Sequence, residues 1–163
     1  MLITCLRHAT AEPHSLQMAD AERALVKKGR DQVARVGEFC RKNSLLPGRL
    51  YCSPLLRTKQ TAQLLADELA DCPSPQEVDW LVSGAEPEEI AAELAILQAA
   101  GIEDVWLVGH EPDISMLVTH LLGAEEDCIQ IKKASLTRLE LNSALSESPS
   151  AQLLWSIPCA MMR

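Results

Sequence analysis

Four residues of this chain follow short apolar runs and are of types suited to phosphate chemistry. Arg7 and His8 come straight after Leu2 to Leu6, Arg57 lies one helical turn beyond the exit of Arg49 to Cys52, and His110 follows Val105 to Val108 through Gly109. Ser53 sits directly at the second exit, ahead of Pro54. Arginine carries a permanent charge on a planar fork that matches phosphate oxygens, and a helix starting after Ser53 or His110 would add backbone N–H groups facing an anion. Taken singly, a histidine at a strand end is more often a satisfied polar residue than a catalyst. Taken together, two histidines and two arginines at the exits of three strands describe one phosphate pocket.

Phosphoryl transfer requires a nucleophile in line with the leaving group and positive charge around the equatorial oxygens. Arg7, Arg57 and His110 can supply that charge in place of a metal ion, and no cofactor is expected. A neutral imidazole is a competent nucleophile near neutral pH, because its unperturbed pKa of about 6.5 leaves much of it unprotonated. His8, beside Arg7, is the better placed of the two histidines.

For these side chains to meet, the three runs must be neighbouring strands with ligands beyond their carboxyl ends. The intervening segments read as helices. Val33, Val36 and Cys40 recur at helical spacing after Gly29, and Ala62, Leu65 and Leu69 do so after Pro54. Ile90, Leu94 and Leu97 form a third stripe ending at Gly101, and Ile114, Leu117, Val118 and Leu121 a fourth between Pro112 and Gly123. Strands alternating with helices predict a mostly parallel central sheet with helices on both faces, a three-layer α/β/α sandwich. Leu136 to Leu141 and Gln152 to Trp155 read as later strands, one of them an antiparallel edge, with the Ser-rich piece Ser143 to Ser150 as a loop.

The length of 163 residues matches a single domain spanning 1–163 with its own core. A formal charge of −8, from 15 Lys and Arg against 23 Asp and Glu, opposes binding to nucleic acid or an anionic membrane. In so acidic a chain a cluster of arginine and histidine is a local exception. The run Leu2 to Leu6 is too short for a signal-peptide core, and no later apolar stretch is long enough to span a bilayer. With six scattered cysteines and no C-x-x-C pair, the chain reads as a cytoplasmic protein with reduced core thiols.

Other phosphate chemistries leave recognisable motifs that are missing from the sequence. There is no G-x-x-x-x-G-K-[ST] loop and no G-x-G-x-x-G after a strand. Cys52 and Arg57 are one residue too close for a thiolate phosphate loop, and H-E-x-x-H spacing does not occur. His14 and His120 have no evident partner in sequence and read as surface or ordinary polar residues.

Three stretches carry a resemblance: Leu6-Arg7-His8-Ala9-Thr10-Ala11-Glu12, Ser53-Pro54-Leu55-Leu56-Arg57-Thr58-Lys59-Gln60-Thr61-Ala62, and Val108-Gly109-His110-Glu111-Pro112. With Glu22-Arg23-Ala24-Leu25 and Gly29, these stretches resemble the histidine phosphatase superfamily and, within it, the small SixA-like phosphohistidine phosphatases, over the chain from its start to about Gly123. The resemblance implies a phosphoglycerate mutase-like fold, with His8 as the phosphorylated nucleophile and Arg7, Arg57 and His110 completing the pocket. Ala9 stands where the wider superfamily usually has Gly, and Ala24 and Val26 where the SixA-like branch often has Pro and Thr. Many members carry an acidic general acid after the third strand. Here the acid is unassigned: Glu86, Glu12, Asp20 and Glu22 are candidates, and the alternative is that the chain has none.

The leading expectation is hydrolysis of phosphohistidine on a partner protein. The alternatives are turnover of a small phosphate ester, such as a sugar phosphate, and a phosphate-binding module without turnover. The sequence leaves the oligomeric state open.

Overall fold

The computed structural model describes residues 1–125, 128–142 and 149–163. Six strands form one mixed sheet flanked by four α-helices: β1 Leu2–Arg7, α1 Lys27–Lys42, β2 Leu50–Cys52, α2 Leu56–Glu68, β3 Gln76–Glu77, α3 Pro87–Ala99, β4 Asp104–Gly109, α4 Asp113–Leu122, β5 Leu136–Leu141 and β6 Ala151–Ile157. The strand order is β3-β2-β4-β1-β5-β6. The expected loop Ser143 to Ser150 falls almost wholly outside the described residues.

Alternation along the strands divides the interior in two. In β4, Trp106 and Val108 point to the face covered by α1 and α2, where Val33, Val36, Cys40, Ala62 and Leu65 are buried. Val105 and Leu107 point to the opposite face, where α3 and α4 bring Ile90, Leu94, Leu117, Val118 and Leu121. Both sheet faces are thus covered, as apolar runs without polar alternation require. The helix signals hold locally as well. Pro112 precedes α4 and Gly123 ends it with φ +60, while Gly101, with φ +78, lies just past α3.

The later strands lie where an antiparallel edge was expected: the edge strand β6 pairs antiparallel with β5, which itself runs antiparallel beside β1. The chain returns from α4 at the carboxyl end of β1, where the Ala134 amide bonds the Arg7 carbonyl at 3.0 Å. From there the next strand can only run back down the sheet. One expectation is corrected: the cysteines are not all core residues, because Cys72 is half-buried and Cys128 exposed, although all six are free thiols. No described helix is long and apolar enough to cross a membrane.

The site depends on the position of β4 between β1 and β2. The chain leaves β1 through α1 towards β2 and leaves β4 through α4 towards β5, on opposite faces and in opposite directions. The crevice between the carboxyl ends of β1 and β4 is therefore a topological switch point.

Candidate active site

Parallel pairing sets Arg7 opposite Gly109, so His8 and His110 emerge side by side, and the His8 amide still bonds the Gly109 carbonyl at 3.0 Å. Their ring centroids are 5.4 Å apart with planes tilted by 56°. Both rings are buried, at 7% and 2% exposure. Burial lowers the His8 pKa to about 4, assisted by the charges of Arg57, Arg7 and Lys133 and opposed by the hydrogen bond to Ala9. Burial, Arg57 and His8 lower His110 further, to about 3. Both imidazoles are therefore neutral at neutral pH.

The tautomer of His8 is set by its neighbour. Nδ1 lies 2.8 Å from the Ala9 carbonyl, an acceptor only, so Nδ1 carries the proton and Nε2 keeps its lone pair. The backbone beyond His8 is held on two sides. The Ala9 amide donates to Thr61 Oγ1 at 3.2 Å, and Thr10 donates from both its amide and its hydroxyl to Gln32 Oε1. Gly29 lies directly beneath, where a Cβ would stand 2.1 Å from the Thr10 carbonyl oxygen.

Positive charge crowds this point of an acidic chain. Arg7 donates through Nη1 to the Ile131 carbonyl at 2.7 Å, and Arg57 donates through Nη1 to the Asp20 carbonyl at 2.8 Å. The Nε atoms of both arginines, and Nδ1 of His110, are buried without a hydrogen-bond partner among the described residues. Lys133 is exposed yet held below the usual lysine range by partial burial and by the charges of Arg7, Arg23 and Lys28. Buried donors without partners, set among like charges that repel, suit the binding of a multiply charged anion.

Ser53 is fully buried, and its hydroxyl lies 2.8 Å from Nε2 of His110, so its contact in the site is with that ring. The four candidate acids are dispersed. Asp20 lies on Arg57, with Oδ2 3.1 Å from Nη2, and Glu12 Oε2 accepts from the Ala24 amide at 2.9 Å. Glu22 is exposed in a short 3-10 turn. Glu86 directly precedes α3, without a side-chain capping bond, and lines a cavity of about 620 Å³ together with Glu111, Ser115, Met116 and Gln130. Partial burial raises the Asp20 pKa, but the hydrogen bond from Arg23 and the charges of Arg57 and Arg23 outweigh it and hold the carboxyl below its usual range.

Several contacts around the site were not read from the sequence. Lys133 comes near Arg7 and His8 because the chain returns from α4 at the carboxyl end of β1, ahead of β5. Glu111 accepts from the Ser115 hydroxyl and, at 3.4 Å, from the Ile131 amide, and so steadies the residue whose carbonyl holds Arg7. His14 and His120 each face a carboxylate, Asp20 at 3.1 Å and Glu88 at 3.5 Å, partners that spacing alone did not reveal. Burial pushes the Cys52 thiol up to about 11, which removes it as a nucleophile. Among the described residues, no three of His, Cys, Asp or Glu gather as metal ligands.

A model of the histidine phosphatase superfamily (branch 1) matches residues 3–95. An uncharacterized protein of Picosynechococcus sp. is 30% identical over 140 residues, covering 85% of this chain and 84% of its own. Among solved structures, the protein histidine phosphatase SixA complexed with tungstate superposes with a TM-score of 0.88 at 21% identity, over 100% of both chains. An alpha-ribazole phosphatase from Shigella flexneri gives 0.74 at 13% identity over 98% of this chain and 97% of its own. A mycobacterial glucosyl-3-phosphoglycerate phosphatase complexed with VO3 gives 0.75 at 16% identity over 96% and 99%.

Proposed function

This chain belongs to the histidine phosphatase superfamily and is a phosphatase of phosphoglycerate mutase-like fold, and from that premise we propose that it is a metal-independent enzyme that forms a phosphohistidine on His8 and acts on phosphohistidine displayed by a partner protein. The observation that carries the reading is the state of His8, a neutral imidazole with Nδ1 committed to Ala9 and Nε2 free to attack.

In the first step the Nε2 lone pair of His8 attacks phosphorus, a new N–P bond forms, and the bond to the leaving group breaks with its electron pair. Arg7, Arg57 and Lys133 offset the charge on the equatorial oxygens, and His110, held by Ser53, lies against the same group. In the second step water attacks phosphorus, the N–P bond breaks with its electron pair returning to Nε2 of His8, and inorganic phosphate leaves carrying the water's oxygen and protons, so that His8 is again neutral. The tungstate in SixA and the VO3 in the mycobacterial enzyme support the view that an oxyanion fits such a pocket.

Substrate class follows from the leaving group. An alkoxide needs a proton from a placed acid, a contribution of about 10²–10⁴-fold, whereas the imidazole of a protonated phosphohistidine departs neutral. Asp20, the carboxylate on Arg57, is held ionised and has no proton to give. A second reading, turnover of a small phosphate ester, is favoured by the cavity of about 620 Å³ lined by Glu86 and Glu111. The deciding experiment compares kcat/KM on a phosphohistidine protein, an aryl phosphate and a panel of sugar phosphates. The phosphohistidine protein is expected to lead and the sugar phosphates to trail. A sugar phosphate in first place, with its rate collapsing on Glu86→Gln, replaces the proposal with the second reading.

A further inference from the structure

The segment after β1 leaves and returns as a closed loop. Ala11 bridges Leu25, the Glu12 amide bonds the Ala24 carbonyl at 2.9 Å, and the Val26 amide bonds the Thr10 carbonyl at 3.1 Å. Asp20 stands at the top of this loop with its carboxylate shared among three groups. Oδ2 accepts from Arg57 Nη2 at 3.1 Å, and Oδ1 accepts from Arg23 Nε at 2.8 Å and lies 3.1 Å from Nδ1 of His14. One carboxylate thus holds the phosphate-binding arginine on one oxygen and an imidazole on the other.

The three groups differ in how firmly they are placed. Arg57 is almost wholly buried, Asp20 is partly exposed and His14 is largely exposed, with side-chain exposures of 4%, 43% and 77%. Asp20 engages only the two terminal nitrogens of Arg57, and Nε has no partner among the described residues. A phosphoryl group can therefore take the inner edge of the guanidinium while the carboxylate keeps the outer one. His14, on the other oxygen of the same carboxylate, marks a neighbouring place that accepts an imidazole.

We propose that Asp20 is the specificity-determining residue that receives the substrate's imidazole, and that His14 occupies the position of that imidazole when no substrate is bound. The inference rests on the phosphohistidine reading and goes beyond it by assigning the leaving-group subsite. The ring nitrogen that does not carry phosphorus donates its N–H to Asp20 Oδ1. Nε2 of His8 forms the new N–P bond, and the old N–P bond gives its electron pair to the ring nitrogen. The ring departs as neutral imidazole, with its proton still on the nitrogen facing Asp20. No proton moves in this step. The carboxylate acts by favouring the protonated ring, the form that can leave without an acid.

The test uses the whole chain with phosphoimidazole and p-nitrophenyl phosphate, two small substrates that differ in the leaving group. In Asp20→Asn, the ratio of kcat/KM on phosphoimidazole to that on p-nitrophenyl phosphate is expected to fall about 10–100-fold, the scale of a lost hydrogen bond to a charged group. His14→Ala is expected to raise the same ratio, because a competing ring is gone. Equal losses on both substrates in Asp20→Asn would overturn the inference and make Asp20 a support for Arg57 alone. A gain on both would also overturn it and make the carboxylate a plug in the phosphate site. If the wild-type enzyme prefers sugar phosphates to phosphoimidazole, the functional reading itself fails and the inference with it. A wild-type preference for phosphoimidazole that survives Asp20→Asn removes only the inference.

Discussion

Arg7 and Gly109 are register partners across β1 and β4, and this pairing places the two imidazoles beyond them with centroids 5.4 Å apart. His8 then helps keep His110 neutral, adding to burial and Arg57 in lowering it.

A neutral nucleophile has a consequence for the pH profile. The reactive form of His8 is present above its folded pKa of about 4 and is lost as pH falls through that value. The acid limb of kcat/KM should therefore lie well below the ordinary histidine range, provided that a substrate with a constant protonation state is used. An acid limb near pH 6.5 that shifts in no pocket variant would contradict the placement of His8.

Stability should follow the same groups. An unfolded chain protonates both histidines near pH 6.5, whereas the folded chain resists until about 4 for His8 and about 3 for His110. The unfolded state binds more protons in that window, so unfolding free energy is expected to fall as pH drops from about 6.5 towards 4. Urea titrations across this range should show the slope, and His8→Asn should flatten it.

Replacing His8 by Ala removes the atom that attacks. Turnover is expected to drop by about 10⁴-fold or more, and an acid-labile phosphoryl label trapped by alkaline quench in the wild-type chain should disappear. Retention of wild-type rates, or of the label, would end the assignment. Prolonged chelation with EDTA should leave the wild-type rate intact. Tungstate should compete with substrate and raise the unfolding temperature, an effect weakened in Arg57→Ala.

Ser53→Ala would leave Nε2 of His110 buried without its partner at 2.8 Å. A destabilisation of about 1–3 kcal/mol is expected, with a rate loss larger than that of a surface control. Denaturant midpoints and kcat measured on the same preparation check both parts.

Gly29→Ala tests the floor under the nucleophile. The new methyl would meet the Thr10 carbonyl oxygen at 2.1 Å and must push it or the start of α1 aside. Overpacking of this kind costs about 1–3 kcal/mol, and because Thr10 follows His8 by two residues, kcat should fall together with the unfolding temperature. An alanine variant with unchanged kcat would mean that α1 yields and the His8 loop does not.

The elements that build the pocket were legible because each has a local signature. Leu2 to Leu6 and Val105 to Val108 are apolar on both faces, and Pro112 and Gly123 mark the two ends of α4. Strand β3 was not legible. It consists of two exposed residues, Gln76 and Glu77, held by backbone pairing to Tyr51 and Cys52, and neither side chain records that contact. The interior position of β5 was hidden for another reason, since strand order is decided by where the chain re-enters the sheet and leaves no periodicity behind. Within the site, Arg7, His8, Arg57 and His110 could be read from their strand exits. The contact of Asp20 with Arg57 could not, because it depends on how the loop between Ala11 and Leu25 closes.

The uneven burial of the six thiols makes the protein suitable for attaching a reporter. Cys5, Cys40 and Cys52 are buried, with thiols raised by burial to about 12, 12 and 11, and half-buried Cys72 is raised to about 11. Alkylating reagents attack the thiolate, so these four react slowly near neutral pH. Cys159 is buried and also raised, which leaves exposed Cys128 as the fastest to react. A fluorophore placed there stands close in sequence to Ile131, whose carbonyl holds Arg7. One maleimide on the unmodified chain would thus report the arrival of a bulky protein substrate, with no engineered cysteine needed.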